Sequence, residues 1–254
     1  MPKLLALTVA ATLTLVLAIA CGSSGEGGRE VRITQSEDGC TPTTIEADTG
    51  EQLKFVMINE TGGIYELEGE EGTEFEEVVV PEGKSRSAGF TVPDEEGAYP
   101  LKCYVPDGVE TIIEVQATRG SESQRPASEN ETENQVNVDL AEYTVSPDEE
   151  SAEEGDVTFV AKNVGTEDHE LVIVRTDLAP GSLPTAEDGS VDEAGEGVEV
   201  IAEIEDLAVG QSGTITIELD SGAYVLLCNI VETIEGGQAK AHYGEGMHTD
   251  FTIE

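Results

Sequence analysis

The sequence predicts an all-β protein that consists of two Greek-key β-sandwich domains in tandem, and three observations support this fold class. The apolar segments are short and alternate with polar residues, as in residues 214–219, which is typical of half-buried strands. No segment combines sustained helical periodicity with capping residues, although residues 185–197 could form either a short helix or a loop. The 28 Gly, the absence of Trp and the 4% aromatic content suit short strands and turns.

The two halves of the chain repeat one another. The segment FVMIN, which begins at Phe55, is followed after five residues by YEL, and the segment FVAKN from Phe159 is followed after five residues by HEL. Further along, AYPLKC ends at Cys103 and AYVLLC ends at Cys228, and the two segments align position for position without a gap. Matched spacing at two separate places indicates duplication of one fold.

A polar segment separates the two repeats. It is rich in Ser, Glu and Asn, contains Pro126 and has no apolar periodicity, so we interpret it as a linker. The predicted organisation is a lipoprotein-type signal peptide, a Gly/Ser-rich tether, a first domain, the linker and a second domain, at residues 1–20, 21–29, 30–118, 119–134 and 135–254 respectively.

The N-terminus has the features of an export signal. A weakly positive start precedes an apolar run at residues 4–20, and small or apolar residues lead directly to Cys21. This pattern resembles a lipoprotein signal, in which Cys21 is acylated and becomes the first residue of the mature protein. A plain secretory signal, with Cys21 incidental, is the alternative. Both interpretations predict an exported protein, and the first one anchors it by lipid to the outer face of the cell membrane or on the periplasmic side.

The charge excludes one class of partner. There are 54 Asp and Glu against 12 Lys and Arg, a formal net charge of -42, so nucleic acid is repelled. Such acidity fits either a disordered chain or a folded protein adapted to high salt. At about 1 M ionic strength the Debye length falls to about 3 Å, which screens the self-repulsion. The acidic residues alternate with strand-like apolar runs, and this favours the folded, salt-adapted protein.

The cysteines and histidines of the second half suggest a metal site. His169 follows a strand, Cys228 ends another, and His242 and Met247 lie on the loop before the last strand. Two imidazoles, a thiolate and a thioether are the ligand set of a trigonal copper site with a weak axial Met. Metal ligation also explains an unpaired thiol in an oxidising compartment. The sequence predicts one copper ion, Cu(I) or Cu(II), with His248 a weaker alternative to Met247.

The segments YVLLCNI around Cys228 and HYGEGM from His242 to Met247 resemble the blue copper proteins of the plastocyanin, azurin and sulfocyanin type, the cupredoxins. The resemblance covers about half of the chain and implies a copper-binding cupredoxin domain after a degenerate cupredoxin-like one. One departure is the longer stretch between Cys228 and His242. The Glu-Gly-Gly-Gln sequence at residues 235–238 predicts a hairpin that brings the chain back close to Cys228.

Two asparagines near these ligands, Asn163 and Asn229, are candidates for fixing the ligand loops and for hydrogen bonding to the Cys228 sulfur.

The first half lacks the blue-copper ligands. Tyr65 occupies the position of the first His ligand, and nothing after Cys103 supplies a His or Met. In an exported protein a Cys40–Cys103 disulfide is expected. Gly-Cys-Thr-Pro at residues 39–42 also resembles the cupredoxin-like domain of periplasmic iron-uptake lipoproteins, which implies Cys40, Glu66 and Cys103 as an alternative second metal site. A purely structural docking module is the remaining interpretation.

The predicted function is that of a membrane-tethered type 1 copper protein, a monomer that carries single electrons to and from a redox protein that the sequence does not identify. Copper storage, delivery or sensing with the same ligands is the alternative. The sequence has only three Met, one of them Met1, and this favours the electron carrier. A copper enzyme needs further His ligands, and with three His in total we expect no enzymatic activity.

Overall fold

The computed structural model describes residues 28–70, 72–106, 108–120, 134–233 and 237–254. The predicted signal peptide, Cys21 and nearly all of the tether and linker lie outside these ranges. Within the described residues, no helix has the length and apolar character needed to span a membrane.

The described residues of the first half form nine strands, which run from the predicted tether to the start of the predicted linker. They are β1 (Arg29–Ser36), β2 (Gly39–Thr41), β3 (Thr44–Asp48), β4 (Gln52–Asn59), β5 (Tyr65–Gly69), β6 (Glu77–Val80), β7 (Ser85–Thr91), β8 (Gly97–Tyr104) and β9 (Glu110–Thr118).

The second half forms eleven strands and one 3₁₀ turn at Pro180–Ser182. Residues 185–197 form a loop with a single bridge between Thr185 and Val191, and the short helix is not formed. The strands are β10 (Gln135–Ala141), β11 (Thr144–Pro147), β12 (Ser151–Ala152), β13 (Gly155–Asn163), β14 (His169–Arg175), β15 (Glu199–Leu207), β16 (Ser212–Leu219), β17 (Gly222–Leu227), β18 (Val231–Thr233), β19 (Ala239–Ala241) and β20 (His248–Ile253).

The alternation of residue types explains the strands. In β16 the apolar residues Ile215, Ile217 and Leu219 are buried and the polar residues between them face away from the core. Successive side chains of a strand point to opposite faces, so this pattern buries one face of the sheet against the other sheet. The prediction of an all-β sandwich fold is confirmed.

The two halves have the same strand order. One sheet contains β2-β1-β4-β7 from the first half and β11-β10-β13-β16 from the second. The other sheet contains β3-β9-β8-β5-β6 and, in the same order, β12-β20-β17-β14-β15. In the parallel pairs β1–β4 and β10–β13, Val31 lies opposite Phe55 and Val136 lies opposite Phe159. The structure therefore repeats itself strand for strand, as the sequence repeat predicts.

The two halves also join edge to edge. β7 pairs with β16 and β6 pairs with β15, so that one sheet of eight strands and one of ten run through both halves. We call this junction the seam. Each pairing at the seam is short: Glu203 lies opposite Glu77, and Ala202 opposite Val78, in the ten-stranded sheet. The larger of two hydrophobic clusters contains buried residues of both halves.

Ion pairs reinforce the seam at a few positions. Lys54 Nζ lies 2.9 Å from Asp156 Oδ1 and 3.1 Å from Glu218 Oε2 across the two halves. Arg86, largely buried, places a guanidinium nitrogen 2.6 Å from Glu199 Oε1. These pairs use basic residues, which are scarce in this chain, where the first half meets the second.

Candidate metal centre

Three side chains converge at one end of the second sandwich. Cys228 Sγ lies 3.3 Å from His242 Nδ1 and 4.0 Å from His169 Nδ1, and the two Nδ1 atoms are 3.3 Å apart. All three residues are completely buried. Nitrogen and sulfur ligands at about 2.0–2.3 Å from one metal ion are themselves about 3–4 Å apart. The spacing of these atoms therefore fits a single ion between them.

Cys228 immediately follows β17, and backbone hydrogen bonds hold it. Its N–H donates to Met247 O at 3.1 Å. Burial raises the pKa of the Cys228 thiol to about 12, and hydrogen bonds from the backbone of Glu170 and Ile230 oppose this shift. A metal ion must displace the thiol proton in order to bind.

His169 begins β14, and Asn163 fixes the loop that precedes it. The Asn163 amide donates to Glu167 O at 2.8 Å and to Leu207 O at 2.7 Å, and its Oδ1 accepts from Gly165 N at 2.9 Å. All of these bonds hold backbone groups of the loop or of the neighbouring strand. Asn163 therefore positions the His169 loop, one of the two roles considered from the sequence.

Asn229 holds a different segment. Its backbone N–H donates to Glu170 Oε1 at 2.8 Å, and its side-chain Oδ1 accepts from Val191 N at 2.6 Å. Its Nδ2 donates to Glu193 Oε1 at 2.7 Å. Asn229 thus ties the loop at residues 185–197 to the chain just after Cys228, and it makes no hydrogen bond to the sulfur.

The hairpin expected between Cys228 and His242 is present. β18 and β19 pair antiparallel with Glu232 opposite Lys240. Residues 234–236, which include part of the turn predicted at residues 235–238, lie outside the described part. Next to the hairpin, His242 N donates to Ile230 O at 2.9 Å, which returns the chain to the cysteine. The longer stretch between Cys228 and His242 therefore does not separate the sulfur from the imidazole.

Met247 closes the site through a tight turn. Its N–H donates to His242 O at 3.0 Å, and its carbonyl accepts the Cys228 N–H at 3.1 Å. The Met247 side chain is completely buried. The ring of His248, the weaker alternative ligand, instead packs against Tyr243 at 5.0 Å between centroids. His248 is not part of the His169, Cys228 and His242 cluster.

Carboxylates surround the outer nitrogens of both imidazoles. His169 Nε2 and His242 Nε2 are buried and have no hydrogen-bond partner among the described residues. Glu142 Oε1 lies 3.6 Å from His169 Nε2, and Glu167 Oε2 and Glu232 Oε1 each lie 3.8 Å from His242 Nε2. Desolvation lowers the pKa of both imidazoles, which keeps them in the neutral form that binds metal.

Other groups hold these carboxylates in place. Glu142 Oε1 accepts the N–H groups of Thr166 at 2.5 Å and Glu167 at 2.6 Å, and these bonds lower the pKa of Glu142 to about 2. Lys240 Nζ lies 2.6 Å from Glu232 Oε2 and 3.2 Å from Glu167 Oε1. Sequence reasoning missed these carboxylates, because Glu is so frequent in this chain that no spacing marks them.

The corresponding end of the first half contains a disulfide. Cys40 and Cys103 are bonded to each other, with Cα atoms 6.3 Å apart. Tyr65, which replaces the first His ligand, donates its hydroxyl to Ser36 O at 2.7 Å. The disulfide leaves neither sulfur free, so the alternative metal site of Cys40, Glu66 and Cys103 is not formed.

The β-sandwich of the second half thus brings buried His169, Cys228 and His242 together, with buried Met247 linked to Cys228 and His242 by backbone hydrogen bonds, and forms a blue-copper-like site. His169, Cys228, His242 and Met247 would hold a copper ion, because two imidazoles, a thiolate and a thioether are the donor set that type 1 copper sites use. The resemblance to the cupredoxins and the choice of copper are confirmed.

Comparisons with solved structures find several copper proteins that are similar to this chain. Auracyanin from the photosynthetic bacterium Roseiflexus castenholzii is 24% identical over 48% of this chain and 97% of auracyanin, with a TM-score of 0.33. A copper-containing nitrite reductase from Thermus scotoductus SA-01 is 12% identical over 89% of this chain and 62% of the reductase, with a TM-score of 0.28. A multicopper oxidase from Campylobacter jejuni is 11% identical over 83% of this chain and 55% of the oxidase, with a TM-score of 0.31. No protein-family model and no curated protein matches the sequence.

Proposed function

We propose that this protein is an electron carrier that works outside the cytoplasm, tethered to the membrane, and exchanges single electrons with a redox protein. The observation that carries the proposal is the gathering of His169 Nδ1, His242 Nδ1 and Cys228 Sγ within 4.0 Å of one another in a completely buried cluster. Copper bound there would supply a one-electron Cu(I)/Cu(II) couple.

The surroundings of the ligands favour electron transfer because they resist rearrangement. Asn163 fixes the loop before His169, and backbone hydrogen bonds link Cys228, His242 and Met247 to one another. A ligand set with so little freedom presents nearly the same geometry to both oxidation states. The reorganisation that accompanies each electron transfer is therefore small.

The charged groups around the imidazoles favour the oxidised ion. Glu142 stays ionised at neutral pH, because its pKa is held at about 2. Negative charge beside His169 and His242 lowers the energy of the more positive copper state. Lys240 offsets part of this effect, since it lies between Glu167 and Glu232.

Copper storage or delivery is the second candidate, and burial of the ligands speaks against it. Handing the ion to another protein requires an accessible ligand, whereas His169, Cys228 and His242 are completely buried. Catalysis is less favoured still. The chain has three His, two of them in the cluster, and His248 packs on Tyr243, so no further imidazole is left for a second copper ion.

The tether and the partner belong to the proposal as well. Acylation of Cys21 would hold the protein on the outer face of the membrane or on the periplasmic side, as a monomer. Two apolar side chains near the site, Val164 and Val231, are 49% and 36% exposed. At high salt, where electrostatic steering is weak, a redox partner would dock through such apolar contacts.

Spectroscopy with redox cycling tests the function. Purified protein with one equivalent of Cu(II) should absorb intensely in the visible range through charge transfer from Cys228. It should also bleach with one electron from a reductant and recover on reoxidation. Cys228→Ser should be colourless, and His248→Asn, the matched control, should keep the colour. A colourless or redox-silent complex would reject the carrier, and faster copper loss to a copper-free acceptor than electron transfer would favour delivery.

A further inference from the structure

A group of carboxylates lies on the ten-stranded sheet where the two halves meet. Four neighbouring strands, in the order β14-β15-β6-β5, contribute them, so the group spans the seam. We call it the seam cluster, and its members are Glu68, Glu77, Glu170, Glu203 and Glu205.

The carboxylates approach one another closely. Glu68, Glu77 and Glu205 each place a carboxylate oxygen within 4.8 Å of the others, and so do Glu170, Glu203 and Glu205. Glu205 belongs to both groups. Glu203 and Glu77 are also directly opposed across the β15–β6 pairing. Like charges opposite each other on paired strands destabilise the pairing unless something neutralises them.

Glu203 is the least compensated member. It is 8% exposed, its carboxylate is directed towards Glu170 and Glu205, and it has no hydrogen bond or ion pair with a described residue. Burial raises the pKa of Glu203 to about 10 and that of Glu77 to about 8. A buried carboxylate without a partner is costly, so a positive charge at this position would relieve a large unfavourable interaction.

The neighbouring groups supply little of that charge. Lys102 Nζ lies 2.8 Å from Glu68 Oε1, at the β5 edge of the cluster. The Tyr104 hydroxyl donates to Glu77 Oε2 at 2.9 Å, which adds a hydrogen bond but no charge. Neither group makes an ion pair or hydrogen bond with Glu203 or Glu205.

We propose that the seam cluster binds a calcium ion, held by Glu170, Glu203 and Glu205 and supported by Glu77 and Glu68. Calcium takes six to eight oxygen ligands in flexible geometry, and carboxylates bind it through one or two oxygens each. Magnesium demands a stricter octahedron and gives up its water reluctantly, so it fits this group less well. Glu77 and Glu68 belong to the first half and share close contacts with Glu205 of the second, so an ion at this cluster links the two halves.

A calcium titration of the purified copper-loaded protein tests the proposal. The measurement uses chelator-treated protein in about 1 M KCl, which screens diffuse attraction to the acidic surface. Calorimetry should detect one saturable calcium ion. Terbium, a calcium substitute, should show emission sensitised by Tyr104, because the tyrosine contacts Glu77 and the sequence has no Trp. Tyr104→Phe should lose the emission and keep calcium binding.

Substitutions separate a built site from general negative charge. Glu203→Gln should weaken calcium binding at least about tenfold, since it removes a central ligand. The control Glu149→Gln/Glu150→Gln removes two exposed charges and should bind calcium as the parent does. Retained blue absorption in each variant would show that the copper site is intact.

Thermal unfolding gives a second readout with a definite sign. In chelator, Glu203→Gln should be at least as stable as the parent, because the neutral amide has the shape of the carboxyl and cannot ionise in this buried position. With calcium, the Tm of the parent should rise and that of the variant should not. The proposal is overturned if no saturable calcium binding occurs or if calcium raises the Tm of Glu203→Gln and of the parent equally. It is also overturned if the Glu149/Glu150 control weakens calcium binding as strongly as Glu203→Gln does.

Discussion

Replacing Asn163 with Ala tests how the fold positions the first histidine ligand. The variant loses two hydrogen bonds to the carbonyls of Glu167 and Leu207 and one from the Gly165 N–H. At about 1 kcal/mol of net stability for each bond, the free energy of unfolding should fall by about 3 kcal/mol. The loop before His169 is then no longer fixed, so the copper ligands should be less well ordered.

The first half of the chain supplies a matched control. Asn59 makes the corresponding bonds, from its amide to Gly63 O at 2.7 Å and Val80 O at 2.8 Å, and it accepts from Thr61 N at 2.9 Å. Asn59→Ala should therefore cost a similar free energy of unfolding, but no copper ligand follows it.

Urea unfolding and visible absorption, measured on both variants, distinguish stability from site geometry. Both variants should be destabilised by about 3 kcal/mol, whereas only Asn163→Ala should broaden or weaken the blue absorption and lower copper affinity. If the two variants changed the absorption equally, or if neither lost stability, the inference that Asn163 positions His169 would be refuted.

Three further predictions follow from the disulfide, the carboxylates and the charge. In the double variant Cys40→Ser/Cys103→Ser, the free energy of unfolding in urea should fall by about 4 kcal/mol, because the disulfide closes a loop with a sequence separation of 63. The blue absorption should persist, and loss of colour in the folded variant would contradict this. Glu232→Gln removes a carboxylate 3.8 Å from His242 Nε2 and should raise the reduction potential in a redox titration, so an unchanged or lower potential would count against the electrostatic role. With a net charge of -42, the urea midpoint should rise between about 0.1 and 1 M KCl as the Debye length falls from about 10 to 3 Å, and a falling midpoint would disprove salt adaptation.

The copper ligands could be predicted because their identity and order carry the information. Two His, a Cys and a Met together are the characteristic ligand set of a type 1 copper site. Their positions at strand ends place them at one end of a sandwich. The hairpin between Cys228 and His242 was predictable from its Gly-containing turn. The duplication followed from local spacing, since Phe55 and Phe159 occupy the same register in both halves and both are buried.

Long-range pairing could not be predicted in the same way. Nothing in the local pattern of β6 or β15 identifies Glu77 and Glu203 as opposite partners across the seam, because edge pairing depends on how two finished domains meet. The carboxylates around the imidazoles come from three distant segments, with Glu142 and Glu232 90 positions apart in the sequence. The sequence also left Cys40 and Cys103 open to either a disulfide or a metal, and the bond between the two sulfurs in the folded chain decides between them.

The most direct test of the blue copper site is a crystal structure of the copper-loaded protein, with anomalous scattering measured at the copper absorption edge. We predict one strong peak enclosed by His169 Nδ1, His242 Nδ1 and Cys228 Sγ, with the Met247 sulfur on its axial side. A peak among Glu167, Glu232 and the outer nitrogen of His242, or a copper-loaded crystal with no peak at Cys228, would contradict it.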